Sequence, residues 1–393
     1  MKKFQALKLI ALFIVLLCLS QCSKRYSSED SSGKVKGGKS IYTEKMQVQY
    51  SKSFEIEYLD SAKVIRVFSP EKGKKKVVSE YLLLPHGVRI PKGYEDSYVV
   101  RIPVKSVIAL TSIYTGFLDK LGLTDKIIAV DNFQYVYSPK LRAMIDAKKV
   151  AEAGDAFNVN VEKIFSLKPD LVLTYGNGDV KADANNKLIA NGIHFASTTL
   201  HLENSPLARA EWIKFIAAFF DSEKKANEIF DNLQKEYNKL TLLTKDLKER
   251  PSVFTEALLG GMWYEPGGES YLAKLLKDAG ANYIWKDDPS SGSLTLSFEQ
   301  VYEKAHDADY WINVHFWNKT GDALKNDPRN SKFKAFRTKN IFNYNASINS
   351  YGYYEYWEDG VINCDIVLAD MIKIFHPEIM QSHSFRYYKK LSD

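Results

Sequence analysis

The sequence predicts an α/β protein with two similar lobes joined by one long helix, preceded by a β-rich segment. From Ser106 onward, short apolar strands alternate with amphipathic helices, a pattern typical of parallel sheets covered on both faces. The second half of the chain repeats the order and spacing of the first half. Between the halves, residues 222–247 carry apolar side chains at helical spacing, which predicts a helix of roughly 39 Å at 1.5 Å per residue.

Length and composition are those of a globular protein with room for two domains. The chain has 393 residues, of which 45% are hydrophobic and 26% are charged. The formal net charge is +6, and three of the positive charges lie within the first eight residues. The remaining positive bias is too weak to indicate nucleic-acid binding. The chain also has 24 Tyr, 21 Phe and 6 Trp, which suit either a core or a cleft that stacks on its ligand.

Residues 1–21 have the pattern of an export signal. A positively charged start precedes an apolar stretch at residues 9–17, which is too short to span a bilayer. The stretch ends in LSQC, which resembles the lipobox of bacterial lipoproteins, with Cys22 as the acylated residue. The alternative is an ordinary signal peptide with a chance cysteine. We expect an exported lipoprotein that faces the periplasm, is anchored through lipid alone and has no intrachain disulfide, because only Cys364 remains.

The segments before the lobes differ in character. Residues 22–40 are rich in Ser, Gly and Lys, which predicts a flexible linker. Gly33–Ser40 matches the sequence pattern of a phosphate-binding loop. We reject the match, because no buried strand is predicted before it and no helix after it. Residues 41–105 alternate apolar and polar side chains in short stretches, which predicts a small β-meander. The boundaries predicted beyond it are an N-terminal lobe at 106–221, a connecting helix at 222–248 and a C-terminal lobe at 249–393.

Two stretches of the lobes carry a family resemblance. GDAFNVNVEKIFSLKPDLVLTY (Gly154–Tyr175) and YWEDGVINCDIVLADMIKIFHPEI near the C-terminus resemble the ferric-siderophore and vitamin B12 class of periplasmic binding proteins. That class has two Rossmann-like lobes joined by a single rigid helix. The chain departs from the family at Asn363-Cys364, where Arg-Pro is frequent, and at Tyr114–Gly116, where Thr-Glu is frequent. These departures lie in loops that shape the ligand site, so they leave the fold prediction intact and the ligand open.

The resemblance implies a binding protein without catalytic activity. Its implied ligand is a ferric siderophore or a related iron chelate, and cobalamin and haem are alternatives of the same transport class. The implied partners are an ABC permease and its ATPase, which receive the ligand. We expect a monomer without a cofactor. We also expect no site for a bare metal ion, since the seven His show no HxH or HExxH spacing.

Two glutamates occupy equivalent positions in the two halves. Glu162 and Glu299 each lie in the first turn of a predicted helix, behind the capping residues Asn160 and Ser297. In one interpretation, the carboxylates merely complement the helix dipole, which contributes about 0.3–1 kcal/mol each. The resemblance implies instead that each glutamate pairs with arginines of the permease, for which carboxylate geometry is suited.

Ligand contacts in such a fold come from the loops that follow the strands and face the gap between the lobes. These loops are rich in aromatic residues, which suit catecholate rings, a corrin or a porphyrin, although each aromatic residue could equally belong to the core. A tyrosine oxygen or a histidine could also coordinate iron directly. The predicted ligand contacts are Ser112, Tyr114, Tyr135, Tyr137 and Tyr175 in the first lobe and Trp263, Tyr264, His315, Trp317, Tyr351 and Tyr353 in the second.

Two other classes of function are compatible with this fold. An enzyme on a Rossmann-like scaffold is one of them, but the sequence has no GxGxxG after a strand and no GxSxG elbow. Its interior thiol, Cys364, has no histidine nearby in the sequence. A surface protein that feeds an outer-membrane transporter is the other, because a fold alone does not separate it from a periplasmic binding protein.

Overall fold

The computed structural model describes residues 40–69, 75–154, 159–179, 183 and 186–393. By their contacts, residues 40–393 belong to one unit. The predicted signal peptide, Cys22 and nearly all of the predicted linker lie outside the described residues. Within the described ranges, no helix combines the length and the apolarity that crossing a bilayer requires.

A four-stranded sheet, here called the N-terminal sheet, precedes the first lobe. Its strands are β1 (Phe54–Tyr58), β2 (Lys63–Phe68), β3 (Val77–Pro85) and β4 (Tyr98–Ile102). The first three strands pair antiparallel, as in the predicted meander, but β4 pairs in parallel with β3. The reason is the length of the connection at residues 86–97, which returns the chain along the sheet before β4 begins.

The first lobe is built on a parallel sheet. Its strands are β5 (Val107–Ala109), β6 (Ile127–Val130), β7 (Ala151–Glu152), β8 (Leu171–Tyr175) and β9 (Phe195–Thr198). Its helices are α1 (Ser112–Lys120), α2 (Pro139–Asp146), α3 (Val161–Leu167) and α4 (Asn186–Ala190). The strands follow the order β7-β6-β5-β8-β9, which leaves β9 at one edge. The central strands are apolar along their length because helices cover both faces of the sheet.

Two helices lead from the first lobe to the second. The first is α5 (Pro206–Ala218), which is apolar around most of its circumference and almost wholly buried. The second is α6 (Glu223–Thr244), the predicted connecting helix, whose 22 residues span roughly 33 Å. Inside α5, Glu211 pairs with Lys214 at 2.9 Å. The Glu211 carboxylate also accepts hydrogen bonds from three backbone amides at residues 49–51, which fastens the start of the N-terminal sheet to the lobe.

The second lobe repeats this architecture. Its strands are β10 (Ser252–Thr255), β11 (Trp263–Pro266), β12 (Asn282–Tyr283), β13 (Ser293–Leu296), β14 (Tyr310–Ile312), β15 (Ile341–Asn343) and β16 (Lys389–Lys390). Its helices are α7 (Tyr271–Asp278), α8 (Phe298–Ala305), α9 (Thr320–Asn326), α10 (Lys334–Arg337), α11 (Glu355–Asp359) and α12 (Cys364–Phe375). The main sheet has the order β12-β10-β14-β15-β16, parallel except for β16, and β11 pairs with β13 in a separate two-stranded antiparallel sheet. The predicted two-lobed α/β fold is thereby confirmed.

Helix α11 of the second lobe packs directly on the first lobe. A Cβ atom at Gly116 of α1 would lie 2.1 Å from the backbone oxygen of Glu358, so the close contact requires glycine. The Glu358 carboxylate accepts hydrogen bonds from the backbone amides of Tyr137 and Ser138. Lys120 donates to the Asn363 side chain at 2.6 Å. These contacts hold the two lobes together at one side of the gap between them.

Candidate functional site

The gap between the lobes contains a cavity that is rich in tyrosine. This tyrosine cavity has a volume of about 370 Å³ and lies where β5, β6 and β8 end. The first lobe contributes Leu110, Thr111, Ser112, Asp131, Tyr135 and Tyr175, and the second contributes Phe316, Gly352, Tyr353, Tyr354 and Trp357. The rings of Tyr135 and Tyr353 meet edge to face across the gap, with centroids 4.6 Å apart. Both lobes therefore supply phenol groups to one enclosed space.

A second cavity lies next to the first. This arginine cavity has a volume of about 450 Å³ and is lined from both lobes by residues that include Arg209, Glu256, Tyr271, Tyr344 and Tyr356. Trp357 lines both cavities and is 50% exposed. Tyr175 of the tyrosine cavity also touches His201 of the arginine cavity, with ring centroids 5.8 Å apart. The two cavities are thus neighbouring parts of one cleft.

Arg209 is the principal charge in this cleft. It leaves the buried helix α5 and stacks over the ring of Tyr271 from the other lobe, with 4.1 Å between the guanidinium carbon and the ring centroid. Its Nε and one Nη donate to the backbone oxygens of Glu203 and His201 at 2.7 and 2.8 Å. Burial lowers the pKa of the guanidinium, which nevertheless stays charged. Among the described residues, no carboxylate lies within 4.0 Å of Arg209, so no salt bridge compensates its charge, and the Glu203 carboxylate acts on it only from a longer distance.

Opposite Arg209, the second lobe presents an acid that is held neutral. Burial, reinforced by nearby Glu265, raises the pKa of the Glu256 carboxyl to about 8. The Glu256 carboxyl lies 3.4 Å from Nε2 of His315, and burial lowers the pKa of that imidazole. Glu256, Asn313 and His315 all have positive φ, at 63°, 60° and 52°. Such strain in non-glycine residues clusters at functional sites, and at neutral pH it surrounds a cavity with net positive charge.

Four of the predicted ligand contacts line the tyrosine cavity: Ser112, Tyr135, Tyr175 and Tyr353. Three others lie near the cleft but outside the lining of both cavities. The guanidinium carbon of Arg142 lies 4.7 Å from the ring centroid of Tyr351. Tyr264 is 41% exposed on β11, and the His315 imidazole contacts the Glu256 carboxyl. Tyr137 lines a separate, acidic cavity beside Glu358. Tyr264 lies within a strand and not after one, and the loops that carry the other predicted contacts open onto more than one cavity.

The structure places the remaining three predicted contacts in the core. Trp263 is completely buried, donates to the backbone oxygen of Thr255 at 2.9 Å and stacks on Trp311. Trp317 is 7% exposed and packs edge to face on the same Trp311. Tyr114 is buried, and its hydroxyl bonds Thr198 at 2.7 Å. Because large rings are needed to fill the space beneath each sheet, these three side chains point inward and do not reach the cleft.

The sequence analysis missed several residues of the candidate site, and two of these, Arg209 and Glu256, carry ionisable groups. Arg209 lies on a helix and not in a loop after a strand, and Glu256 directly follows β10. A signal for Arg209 was available, because α5 is otherwise apolar and carries only three charged residues. Two of these, Glu211 and Lys214, lie three positions apart and can pair, which leaves Arg209 for another role.

The two predicted docking glutamates are exposed at helix starts. Glu162 lies in the first turn of α3, where the Asn160 side chain accepts from the Lys163 amide at 2.9 Å. Glu299 lies in the first turn of α8 behind a complete capping box, and its side chain is 72% exposed. Arg329 donates to Glu299 at 2.7 Å but also to Asp327 at 2.7 Å. One guanidinium cannot neutralise two carboxylates, so negative charge remains at this helix start.

Metal-ligating side chains and the interior thiol were the remaining candidate groups. In the part of the chain that the structure describes, no three His, Cys, Asp or Glu side chains converge to hold a metal ion. Cys364 is completely buried at the start of α12, and burial raises the pKa of its thiol. A buried thiol with a raised pKa is a poor nucleophile.

The profile of the family described as periplasmic binding protein matches residues 107–347, which is more than half of the chain. The chain belongs to the periplasmic binding protein family. The predicted resemblance is confirmed, and this binding protein is a member of a transport family and not an enzyme. The N-terminal sheet lies outside the matched residues, together with α11 and α12.

Relatives of this binding protein occur in archaea and bacteria. An uncharacterised lipoprotein of Methanocaldococcus jannaschii is 23% identical over 99% of this chain and 97% of its own length. An uncharacterised ABC transporter substrate-binding lipoprotein of Bacillus subtilis is 30% identical over 48% of this chain and 58% of its own. Among solved structures, an ABC-type Fe³⁺-hydroxamate transport protein of Saccharomonospora viridis has a TM-score of 0.53, at 20% identity, over 70% of this chain and 94% of its own. That likeness shows the fold.

Proposed function

We propose that this binding protein captures an anionic ferric chelate, such as a siderophore complex, and delivers it to the permease and ATPase of an ABC importer. We further propose that it is exported and anchored to a membrane through lipid on Cys22. Two relatives are named as lipoproteins, which supports the anchor. Two similar proteins are named as parts of ABC transport systems, which supports the importer. The ligand assignment is supported by the chemistry of the cleft.

The charge of Arg209, which no salt bridge compensates among the described residues, carries the ligand assignment. A guanidinium half-buried between two lobes is stabilised by an anionic partner, and bidentate contact with oxygen pairs suits its geometry. Glu256 is protonated at neutral pH, so it adds a hydrogen-bond donor and no opposing charge. Both groups favour a ligand rich in anionic oxygens, as catecholate and carboxylate chelates are.

The tyrosine cavity supplies the surface for the chelate itself. Tyr135, Tyr175, Tyr353, Tyr354 and Trp357 present aromatic faces and hydroxyl groups from both lobes. Aromatic faces pack on the planar groups of catecholates, and the hydroxyls can donate to chelate oxygens. Haem is the second candidate, because its propionates would meet Arg209 and a phenol oxygen could reach its iron.

The exposed glutamates support docking on the permease. Glu162 and Glu299 mark one equivalent helix start on each lobe. A permease that pairs with both carboxylates would contact both lobes at once and would therefore sense their relative position. We expect the binding protein to act as a monomer in this arrangement.

We expect ligand binding to change the lobe arrangement only slightly. The lobes are held by the Gly116 contact and by the hydrogen bonds of Glu358 and Lys120, and α6 is a single continuous helix. Small-angle scattering of the mature chain with and without ligand should give radii of gyration that agree within about 0.5 Å, as for preformed interfaces. A decrease of several ångströms would show hinge closure and contradict a preformed cleft.

Calorimetric titration and difference absorbance of the mature chain test the ligand class. We expect sub-micromolar binding of a ferric catecholate and weaker binding of neutral ferric hydroxamates, because only the former offers charge to Arg209. A Soret band with haem would favour the second candidate. If ferric catecholates, ferric hydroxamates, haem and cobalamin all fail to bind, the metal-chelate assignment is wrong and the transport class alone remains.

A further inference from the structure

The N-terminal sheet packs along the ligand side of the first lobe. Strand β9 is an edge strand, and its outward amides at Phe195 and Ser197 would otherwise face solvent. The hydroxyl of Tyr98 accepts from Phe195 at 2.8 Å, and that of Tyr81 accepts from Ser197 at 3.0 Å. Tyr81 and Tyr98 are direct register partners on β3 and β4. Two neighbouring strands of the N-terminal sheet therefore cap alternate amides of one edge.

The same sheet holds the loop that follows β8. This loop, Gly176–Asp179, is here called the Tyr175 loop, because it directly follows Tyr175, which lines the tyrosine cavity. Ser79 on β3 donates to the backbone oxygen of Gly178 at 2.6 Å in a buried hydrogen bond. Gly178 has φ of +83°, and a Cβ atom there would lie 2.8 Å from Val67, 3.3 Å from Val78 and 2.8 Å from Thr199 of the lobe itself. The loop thus lies against side chains of β2 and β3 with no room for a methyl group.

We infer that the N-terminal sheet is a positioning element for the Tyr175 loop, so that Ser79 and Gly178 set ligand affinity without lining the ligand cavities. The sheet lies outside the residues that match the family profile. It is anchored on α5 and α6 through Phe54 and Lys63, and it also contacts one edge strand and one cleft loop. A segment that only stabilised the lobe would not need to contact a loop of the cleft. The effect of the N-terminal sheet on ligand affinity rests on the proposed function, whereas its effect on the order of the Tyr175 loop does not.

A matched pair of glycine variants tests the contact. Gly178 and Gly192 have nearly equal φ, at +83° and +80°, so alanine is strained to a similar extent at both. A Cβ atom at Gly192 meets nothing within 4 Å, whereas one at Gly178 meets Val67 and Val78 of the N-terminal sheet as well as Thr199 of the lobe. We expect Gly178→Ala in the mature chain to weaken binding of a ferric catecholate roughly tenfold more than Gly192→Ala, since overpacking displaces the loop. Equal effects of the two variants would overturn the inference.

Ser79→Ala provides a milder test that does not depend on the ligand. It removes the hydroxyl that donates to the Gly178 oxygen, and we expect affinity to fall about fivefold. Hydrogen–deuterium exchange without ligand should accelerate at Gly176–Asp179 while the amides of the β5 core stay protected. Unchanged exchange in the Tyr175 loop would refute the positioning role. If the wild-type protein binds no ferric catecholate, faster loop exchange still supports positioning, and only the proposed ligand fails.

Discussion

Replacing Glu162 and Glu299 together by alanine is expected to reduce ligand uptake at least about 100-fold while ligand affinity stays within twofold of wild type. Each carboxylate is exposed at the start of a helix and lines neither cavity of the cleft. Loss of one partner from a charge pair at an interface costs roughly 2–5 kcal/mol, and the double variant loses two such partners. Uptake is measured in cells that carry the variant as their only copy, and affinity is measured by calorimetry.

A matched control separates docking from a general loss of negative charge. Glu228 and Asp231 are exposed on the connecting helix α6, so Glu228→Ala with Asp231→Ala removes the same charge from another surface. This control is expected to transport normally. A fall in ligand affinity in the Glu162/Glu299 variant would contradict the docking role, because it would place the carboxylates in the binding step.

The second large effect concerns Arg209. We expect Arg209→Met to weaken binding of an anionic ferric chelate by 30-fold or more, since truncating one partner of a buried charge pair costs roughly 2–5 kcal/mol. Methionine retains most of the packing on Tyr271 and removes only the charge and the donors. Calorimetry measures the loss of affinity, and the thermal midpoint reports separately the stability lost with the hydrogen bonds that Arg209 donates to the backbone of Glu203 and His201.

Arg142 is the natural control for Arg209. It also reaches from the first lobe to a tyrosine of the second, with 4.7 Å between its guanidinium and the ring of Tyr351, but it lies outside the lining of both cavities. Arg142→Met is therefore expected to leave affinity within about threefold, as for a surface contact. If the two variants lose affinity equally, arginine–tyrosine stacking between the lobes determines ligand affinity and the charge of the ligand does not.

The fold was predictable because its signals are local. Buried parallel strands such as β8 give continuous apolar runs, and the predicted helix VEKIFSL coincides with α3. The capping pair Ser297 and Gln300 marked the start of α8 correctly. The parallel pairing of β4 was not predictable, because it depends on where a long connection returns the chain and not on the strand's own residues.

The cleft was predictable only in part, since residue type does not determine burial. Tyr135 comes after strand β6 and Trp263 begins strand β11. Tyr135 nevertheless lines a cavity, whereas Trp263 fills the core. The difference depends on which sheet face each side chain meets, which is a property of the assembled lobe. Arg209 escaped the sequence analysis for the same reason, because only the packing of α5 against the second lobe brings it to the cleft.

The location of Trp357 has a consequence for spectroscopy. Of the six tryptophans, Trp212, Trp263 and Trp311 are completely buried, Trp285 and Trp317 are 5% and 7% exposed, and Trp357 is 50% exposed at the junction of the two cavities. Five indoles therefore emit from an environment that a ligand does not reach, and one emits from the cleft itself. The binding protein carries a built-in fluorophore at its proposed ligand site, and we expect that occupancy can be followed in the unlabelled chain through that single indole.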